Sequence, residues 1–396
     1  MDFTKFSDET KLILLCAKKD PGDADLSKIR QIVNKQLDWG FLWEQSLYHG
    51  ASSFLYHHLK KQGLEDKAPA DYLEKFRGFY IWVNFKNQAL WEEFCNIEKA
   101  LLQKNIKAVP IKGIALNQVL YEGKNIRPIG DIDILIQKSE LPDAERVLLS
   151  SGYIKSTAGY SIDYYKKYHC HIPFRKRHLC EVHWAIALPR PHKIDLPDIW
   201  KNTREYNVKE TKLTILSPED NLFTLALHLN RFNSPLSLRY IMDVSEFINQ
   251  YRNTIDWDYL IKNARANKIR SLLYFALYSA QDMLGAPVPK NILQELRPGL
   301  IRHKGLGYLI KNKTFSVNNK RPVSKKYLYL VLRYLIYDRA WHFISYIFFI
   351  PIEDFARFYS LPLNSRGTYV SYRLRVLYIF YRTTRAIIAS IGRKTR

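Results

Sequence analysis

The sequence predicts an α/β (α+β) protein: one central unit with a mixed sheet, flanked by helical regions. Three observations carry that expectation. Ala108 to Ile111 is an apolar run of strand length, broken by Lys112-Gly113, after which Ile114 to Tyr121 continues at helical spacing. A polar turn, Glu122 to Asn125, and the phrase Arg127-Pro128-Ile129-Gly130 lead into a second strand pattern, Asp131 to Ile136. Farther on, Tyr165 to Trp184 scans as a β-hairpin, with Tyr168 to Phe174 as one strand, Arg175-Lys176-Arg177 as the turn and His178 to Trp184 as the return.

The segment Val109 to Gln137 organises the chain. Side chains alternate faces along a strand, so Asp131 and Asp133 share one face while Ile132, Ile134 and Ile136 share the other. Two carboxylates about 6–7 Å apart on one buried-sheet face repel each other. A divalent cation between them resolves the conflict, since Mg²⁺ takes one or two carboxylates plus substrate phosphates. On this reasoning Asp133→Asn leaves metal-free stability unchanged or slightly higher. On the return strand of the hairpin, Leu179, Glu181 and His183 share a face.

Lys112-Gly113, the helix after it, Arg127-Pro128 and Asp131-Ile132-Asp133 resemble the uncharacterised bacterial nucleotidyltransferase family of the polymerase-beta-like superfamily, over about residues 30 to 260. The resemblance implies the polymerase-beta-like core and places a third carboxylate at Glu181, in Glu181-Val182-His183-Trp184. It implies an NTP substrate and Mg²⁺, two ions with Mn²⁺ as a substitute, held by Asp131, Asp133 and Glu181. One departure stands out: Ile114 follows Gly113, where superfamily members often carry serine. Lys112 is then expected as a point charge on the triphosphate, and Lys112→Ala is expected to leave folding nearly intact. Gly113 permits close backbone approach, and its amide near a helix N-terminus can receive phosphate oxygens. Arg127 is a planar partner for phosphate or acceptor. His171 and His183 match family positions and suit a phosphate contact or a place behind the metal ligands. The phrase Arg239 to Asp243 recurs in the family beside the cleft, although its i, i+4 spacing also suits an intrahelical salt bridge.

Taken in order, residues 1–107 read as a helical region. Asp25 or Ser27 could cap a helix through Val33 and Leu37, and Leu42 to Lys60 continues at helical spacing. His49 to Tyr56 is similar to a leader segment of the same family. Pro69 opens a long helix to Leu102, whose Phe79, Tyr80, Trp82, Phe85 and Trp91 are expected in the core. Residues 108–216 form the catalytic α/β unit, with a helix from Leu141 to Ser151 closed by Gly152. Residues 217–296 form a helical domain that starts at Ser217-Pro218-Glu219-Asp220 and includes Leu238 to Phe247, Asp256 to Ala266 and Arg270 to Leu284.

Residues 297–396 form a basic, aromatic-rich C-terminal region: 20 Lys and Arg stand against Asp338, Glu353 and Asp354, in a chain whose formal net charge is +23. A Lys/Asn-rich linker, Lys311 to Lys326, precedes an amphipathic aromatic segment, Tyr327 to Ile350. The stretch Tyr372 to Arg396 alternates arginine with apolar residues. Such polarity suits an anionic membrane surface, a nucleic-acid backbone or a polyanionic substrate, and equally a solvated basic face that serves solubility.

His169, Cys170, His171, His178, Cys180 and His183 invite a zinc reading. The spacing argues against it, because Cys170 and His171 would face opposite sides of a strand and no CxxC or HxxxH pair is present. The four cysteines show no disulfide framework, and no apolar run approaches the ~20 residues of a membrane span. The expected location is cytoplasmic, with peripheral attachment at the inner membrane face as an option. The acceptor stays open between a protein, a small molecule, a sugar and an RNA end. Two rivals remain: a metal-dependent glycosyltransferase using a nucleotide-sugar, and a catalytically silent membrane- or nucleic-acid-binding adaptor.

Overall fold

In the computed structural model the chain enters its first strand through helices α1 (Asp8–Cys16), α2 (Asp23–Val33), α3 (Trp39–His49), α4 (Ser52–Lys61) and α5 (Ala70–Leu102). The structure describes residues 6–189, 194–195, 197–208, 211–229, 237–315, 331–348, 350–363, 365–375 and 377. The chain divides into two compact units, Met1–Asp338 and Arg339–Arg396.

Several helix limits differ from the sequence expectation for identifiable reasons. Helix α2 begins at Asp23, after Gly22, because Asp25 is spent on Lys18 at 2.6 Å rather than on a cap. The expected Leu42 to Lys60 helix is two, since Gly50 takes the left-handed conformation at φ +69° and closes α3. A Cβ on Gly50 would stand 2.6 Å from Arg239 Nε, so only glycine lets this turn lie against that arginine.

Helix α5 follows Pro69 and buries Phe76, Val83, Asn87, Leu90, Phe94, Ile97, Glu98 and Leu101. Trp82 and Phe85 fall off that stripe and are 51% and 75% exposed, so two of the five aromatics expected in the core lie on the surface.

The sheet comprises β1 (Val109–Pro110), β2 (Ile132–Leu135), β3 (Ile154–Lys155), β4 (His171–Arg175) and β5 (Leu179–His183), in the order β1-β2-β5-β4-β3. Strands β2 and β5 run parallel and the other neighbours antiparallel, as expected of a mixed sheet. Between β1 and β2 lies α6 (Lys112–Val119); α7 (Leu141–Ser150) precedes β3, and α8 (Ile162–Tyr168) precedes β4. The hairpin is present but its first strand is shorter than expected. Ser161 caps α8 by accepting from Tyr164 N–H at 3.0 Å, so Tyr168 belongs to the helix and the strand begins at His171. A separate hairpin of β6 (Arg204–Val208) and β7 (Thr211–Ile215) follows.

Helices α9 (Pro218–Leu229), α10 (Leu238–Tyr251), α11 (Trp257–Ala266), α12 (Arg270–Leu284), α13 (Lys290–Leu296) and α14 (Leu300–Lys313) follow in the first unit. Ser217 Oγ accepts from Asp220 N–H at 3.1 Å and Asp256 from Tyr259 N–H at 2.9 Å, the caps their sequences announce. The Asp338 carboxylate closes the N-terminus of α12, accepting from Arg270 and Ser271 N–H at 2.6 and 2.8 Å. The second unit contains helices Ala340–Phe348 and Ile352–Phe358. Most of the Lys311 to Lys326 linker, the start of the Tyr327 to Ile350 segment and most of Tyr372 to Arg396 lie outside the described residues. No helix among the described residues is long and apolar enough to cross a membrane.

Gly113 opens α6 in tight surroundings: a Cβ there would sit 2.8 Å from Ile129 Cγ2. Gly113→Ala is therefore expected to cost about 1–3 kcal/mol of stability through overpacking, read as a lowered urea midpoint at unchanged slope.

Candidate active site

The turn from β1 into α6 and the first residues of β2 build the site. Strand β1 pairs Val109 with Leu135 and Pro110 with Ile134, and Ile111 N–H donates to Asp133 O at 3.0 Å. This delivers Lys112, at φ +54°, beside Asp133. Such a φ on a non-glycine residue costs about 1–3 kcal/mol and concentrates at functional sites. Across the parallel pair, Asp133 is in register with Glu181 and Leu135 with His183; across the antiparallel pair, His171 faces His183. One sheet face thus carries Asp133, Glu181, His183 and His171. Asp131 lies one residue before β2.

The lysine expected on a triphosphate is buried and committed. Lys112 Nζ donates to Asp133 Oδ1 at 2.5 Å and stands 3.3 Å from His183 Nε2. His183 Nε2 donates to the same Oδ1 at 2.8 Å and lies 3.2 Å from Glu181 Oε2, while His171 Nε2 lies 3.4 Å from Glu181 Oε1. Asp133 Oδ2 takes no hydrogen bond from the described residues, so it remains available to a ligand.

These contacts set the protonation states. Burial raises the Asp133 carboxyl, but Lys112 and His183 outweigh it and hold the acid well below its usual range. Burial and Lys112 push His183 down, yet its bonds to Asp133, Cys170 and Glu181 prevail and lift it to about 10. Asp131 has no such partner among the described residues. Burial first, then the charges of Asp133 and Glu181, raise it to about 7.

The sign of the resulting pH dependence follows. Folded Asp131 holds its proton more tightly than the unfolded chain, so its contribution falls as pH rises from 3.8 to about 7. Asp131→Asn removes that loss. It is expected to stabilise the metal-free protein by about 2–4 kcal/mol at about pH 8 and by less than half as much at about pH 5. Urea unfolding of both proteins at the two pH values checks this.

A family model described as "Uncharacterised nucleotidyltransferase" matches residues 35–285. The chain belongs to this family. No curated protein and no solved structure matches it. The protein is accordingly a nucleotidyltransferase, a transferase of phosphorus-containing groups.

Nucleotidyltransferases generally use divalent metals, and this one has residues that could hold them. Asp133, Glu181 and His183 each offer a ligand atom within 4.8 Å of the others. Asp131 is outside that group and reaches it through its charge. The donor set and the unbonded Oδ2 fit a divalent cation.

Other expected residues are divided between bracing and lining. Arg127 and Asp243 are paired with each other: Nε and Nη2 of the arginine donate to Oδ1 and Oδ2 at 2.7 and 2.6 Å. Tyr121 Oη donates to Asp243 Oδ1 at 3.1 Å, and Asn87 holds the adjacent backbone by donating to Arg127 O at 2.7 Å. The alternative Arg239–Asp243 intrahelical salt bridge does not form. Arg239 Nε is buried and makes no hydrogen bond with the described residues, although the guanidinium lies in the field of Asp131.

The leader segment fixes this geometry. His49 Nδ1, on a ring that burial keeps neutral, accepts from Leu238 N–H at 3.1 Å, and Ser53 Oγ donates to Ile126 O at 2.5 Å. Lys86 joins this set of groups although it belongs to no motif. Burial lowers this amine while the charge of Asp131 raises it, which places it among the groups near Asp131. The signal available was its place three residues after Val83 and one before Asn87, both on the buried stripe of α5.

Proposed function

We propose that this nucleotidyltransferase moves a nucleoside monophosphate from an NTP to an acceptor with release of pyrophosphate, using Mg²⁺ held by Asp131, Asp133 and Glu181. The observation that carries the reading is the β2–β5 register, which sets Asp133 beside Glu181 on one sheet face next to the start of α6. No side chain caps that helix start, so the amides at Gly113 and Ile114 can take phosphate oxygens. When bound, divalent ions would offset charge on the attacking and leaving oxygens.

The chain's own residues prepare for that. Lys112 and His183 keep Asp133 ionised at Oδ1 and leave Oδ2 as the ligand atom. Arg239, with an unbonded Nε, pairs with a phosphate group, and Lys86 adds a second cation near Asp131. Arg127 serves by bracing Asp243 rather than by touching substrate. The acceptor is a protein, a small molecule, a sugar or an RNA end.

The test is incubation of the protein with each labelled NTP and Mg²⁺ alongside candidate acceptors and a lysate. Label transferred together with stoichiometric pyrophosphate supports the reading; no transfer from any NTP to any acceptor sinks it. In NTP-binding calorimetry Arg239→Ala is expected to weaken affinity about 10–100-fold, the worth of a charge-assisted hydrogen bond, with Arg239→Lys recovering only part. Equal affinities would remove Arg239 from the site.

A further inference from the structure

Behind the carboxylates lies a second group of side chains that could hold a metal ion, with a different chemical character. Cys170 precedes β4 at a bend, so strand alternation does not govern its side chain. Its Sγ lies 3.9 Å from His171 Nδ1 and 3.8 Å from His183 Nδ1. All three residues are buried, and their ligand atoms fall within 4.8 Å of one another. Zinc bonds of about 2.3 Å to sulfur and about 2.0–2.1 Å to nitrogen, at tetrahedral angles, separate the two atoms by about 3.6 Å. The observed spacings are close to that value.

The far side of each ring supplies an independent observation. His183 Nε2 donates to Asp133 Oδ1 at 2.8 Å, and His171 Nε2 lies 3.4 Å from Glu181 Oε1. A carboxylate only accepts, so His183 Nε2 carries the proton on this side, and Nδ1 of both rings faces Cys170 Sγ. Metal-binding histidines characteristically direct their other ring N–H at a carboxylate, which fixes tautomer and orientation. His183 does so toward Asp133, His171 Nε2 stands at ion-pair distance from Glu181, and the two rings converge on one thiol. Ligand softness then separates the two sites: carboxylate oxygens suit Mg²⁺, whereas thiolate and imidazole suit zinc.

We infer that Cys170 Sγ, His171 Nδ1 and His183 Nδ1 form a zinc site distinct from the Mg²⁺ site, with Asp133 and Glu181 as the carboxylates that orient its histidines. Zinc binding displaces the protons of the Cys170 thiol and of any protonated Nδ1. The ion ties the start of β4 to the end of β5. It also locks His183 Nε2–H onto Asp133, so zinc occupancy positions a carboxylate proposed for catalysis. This site stands whether or not the chain transfers nucleotides.

Co²⁺ titration of the full chain after chelator treatment tests it, with no NTP present. Wild type is expected to bind one equivalent with a thiolate-to-cobalt charge-transfer band and the strong visible bands of tetrahedral Co²⁺, all erased by Zn²⁺ and untouched by excess Mg²⁺. Cys170→Ser loses the charge-transfer band, and Cys95→Ser, altered outside the cluster, keeps it. His171→Gln retains the thiol and is expected to lower zinc affinity at least about tenfold; Glu181→Gln, which alters the orienting carboxylate, lowers it about 10–100-fold. Absence of the band in wild type, or wild-type affinity in both Cys170→Ser and His171→Gln, overturns the proposal. Should Cys170→Ser fail to fold, wild-type affinity in His171→Gln alone overturns it.

Discussion

Asp133→Asn is expected to destabilise the metal-free protein by about 3–5 kcal/mol, the typical cost of removing one partner of a buried ion pair. Repulsion between Asp131 and Asp133, at roughly 1–3 kcal/mol, would argue for the opposite sign. The structure decides between them. Lys112 and His183 both bond Asp133 Oδ1, and Lys112 is buried with no other carboxylate bonded to it. The repulsion is felt instead by Asp131, which has no bonded cation among the described residues. Lys112→Ala shares the cost for the same reason, whereas a lysine free in a cleft would contribute little. The Asp133 contribution is full above its ordinary value of 3.8 and is lost on acidification towards its lower folded value. Urea unfolding at neutral pH and in acid measures both statements. Added Mg²⁺ and NTP should raise the melting temperature of wild type and leave Asp133→Asn unmoved, since ligand stabilises only where its site is intact. Equal stability of the two metal-free proteins would remove the Lys112–Asp133 pair from the account.

Asp243→Ala is expected to cost a comparable 3–5 kcal/mol, because it strands Arg127 in the interior and removes the acceptor of Tyr121. Arg127→Lys should recover little, as an ammonium cannot reproduce the two-point fit to a carboxylate. Replacing both partners by apolar groups, Arg127→Met with Asp243→Leu, should regain most of the loss. The pair ties the approach to β2 to α10, and Arg239 sits one helical turn before Asp243. NTP affinity should therefore fall in Asp243→Ala even though Asp243 touches no phosphate. A double-mutant cycle with Arg239→Ala, read by calorimetry, should show a coupling of about 0.5–3 kcal/mol, and strict additivity would disprove the link.

Much of this protein was legible in the sequence wherever local rules decide. Strand alternation around Asp133 and Glu181, the cap at Ser217, and the helix from Arg270 to Leu284 are properties of short segments. Their physics is complete within a few residues. Nucleotidyl transfer was legible by another route, through the resemblance of Lys112-Gly113 and Asp131-Ile132-Asp133 to a known family.

What the tertiary structure alone decided was who partners whom. Arg239 and Asp243 have the spacing of a helical ion pair, yet Asp243 takes Arg127, 116 positions earlier, because a two-point fit outcompetes a single contact. Lys112 reads as a triphosphate ligand and is found on Asp133. Alternation placed Cys170 and His171 on opposite faces, but Cys170 lies at a bend outside the strand, and a cluster the spacing rejected was assembled. Trp82 and Phe85 look like core and lie outside, since which face of a 33-residue helix is covered depends on its neighbours. Local sequence thus determined the elements and the chemistry-bearing residues. Charge pairing and burial are set by distance between segments far apart in the chain, and only the packed fold supplies those distances.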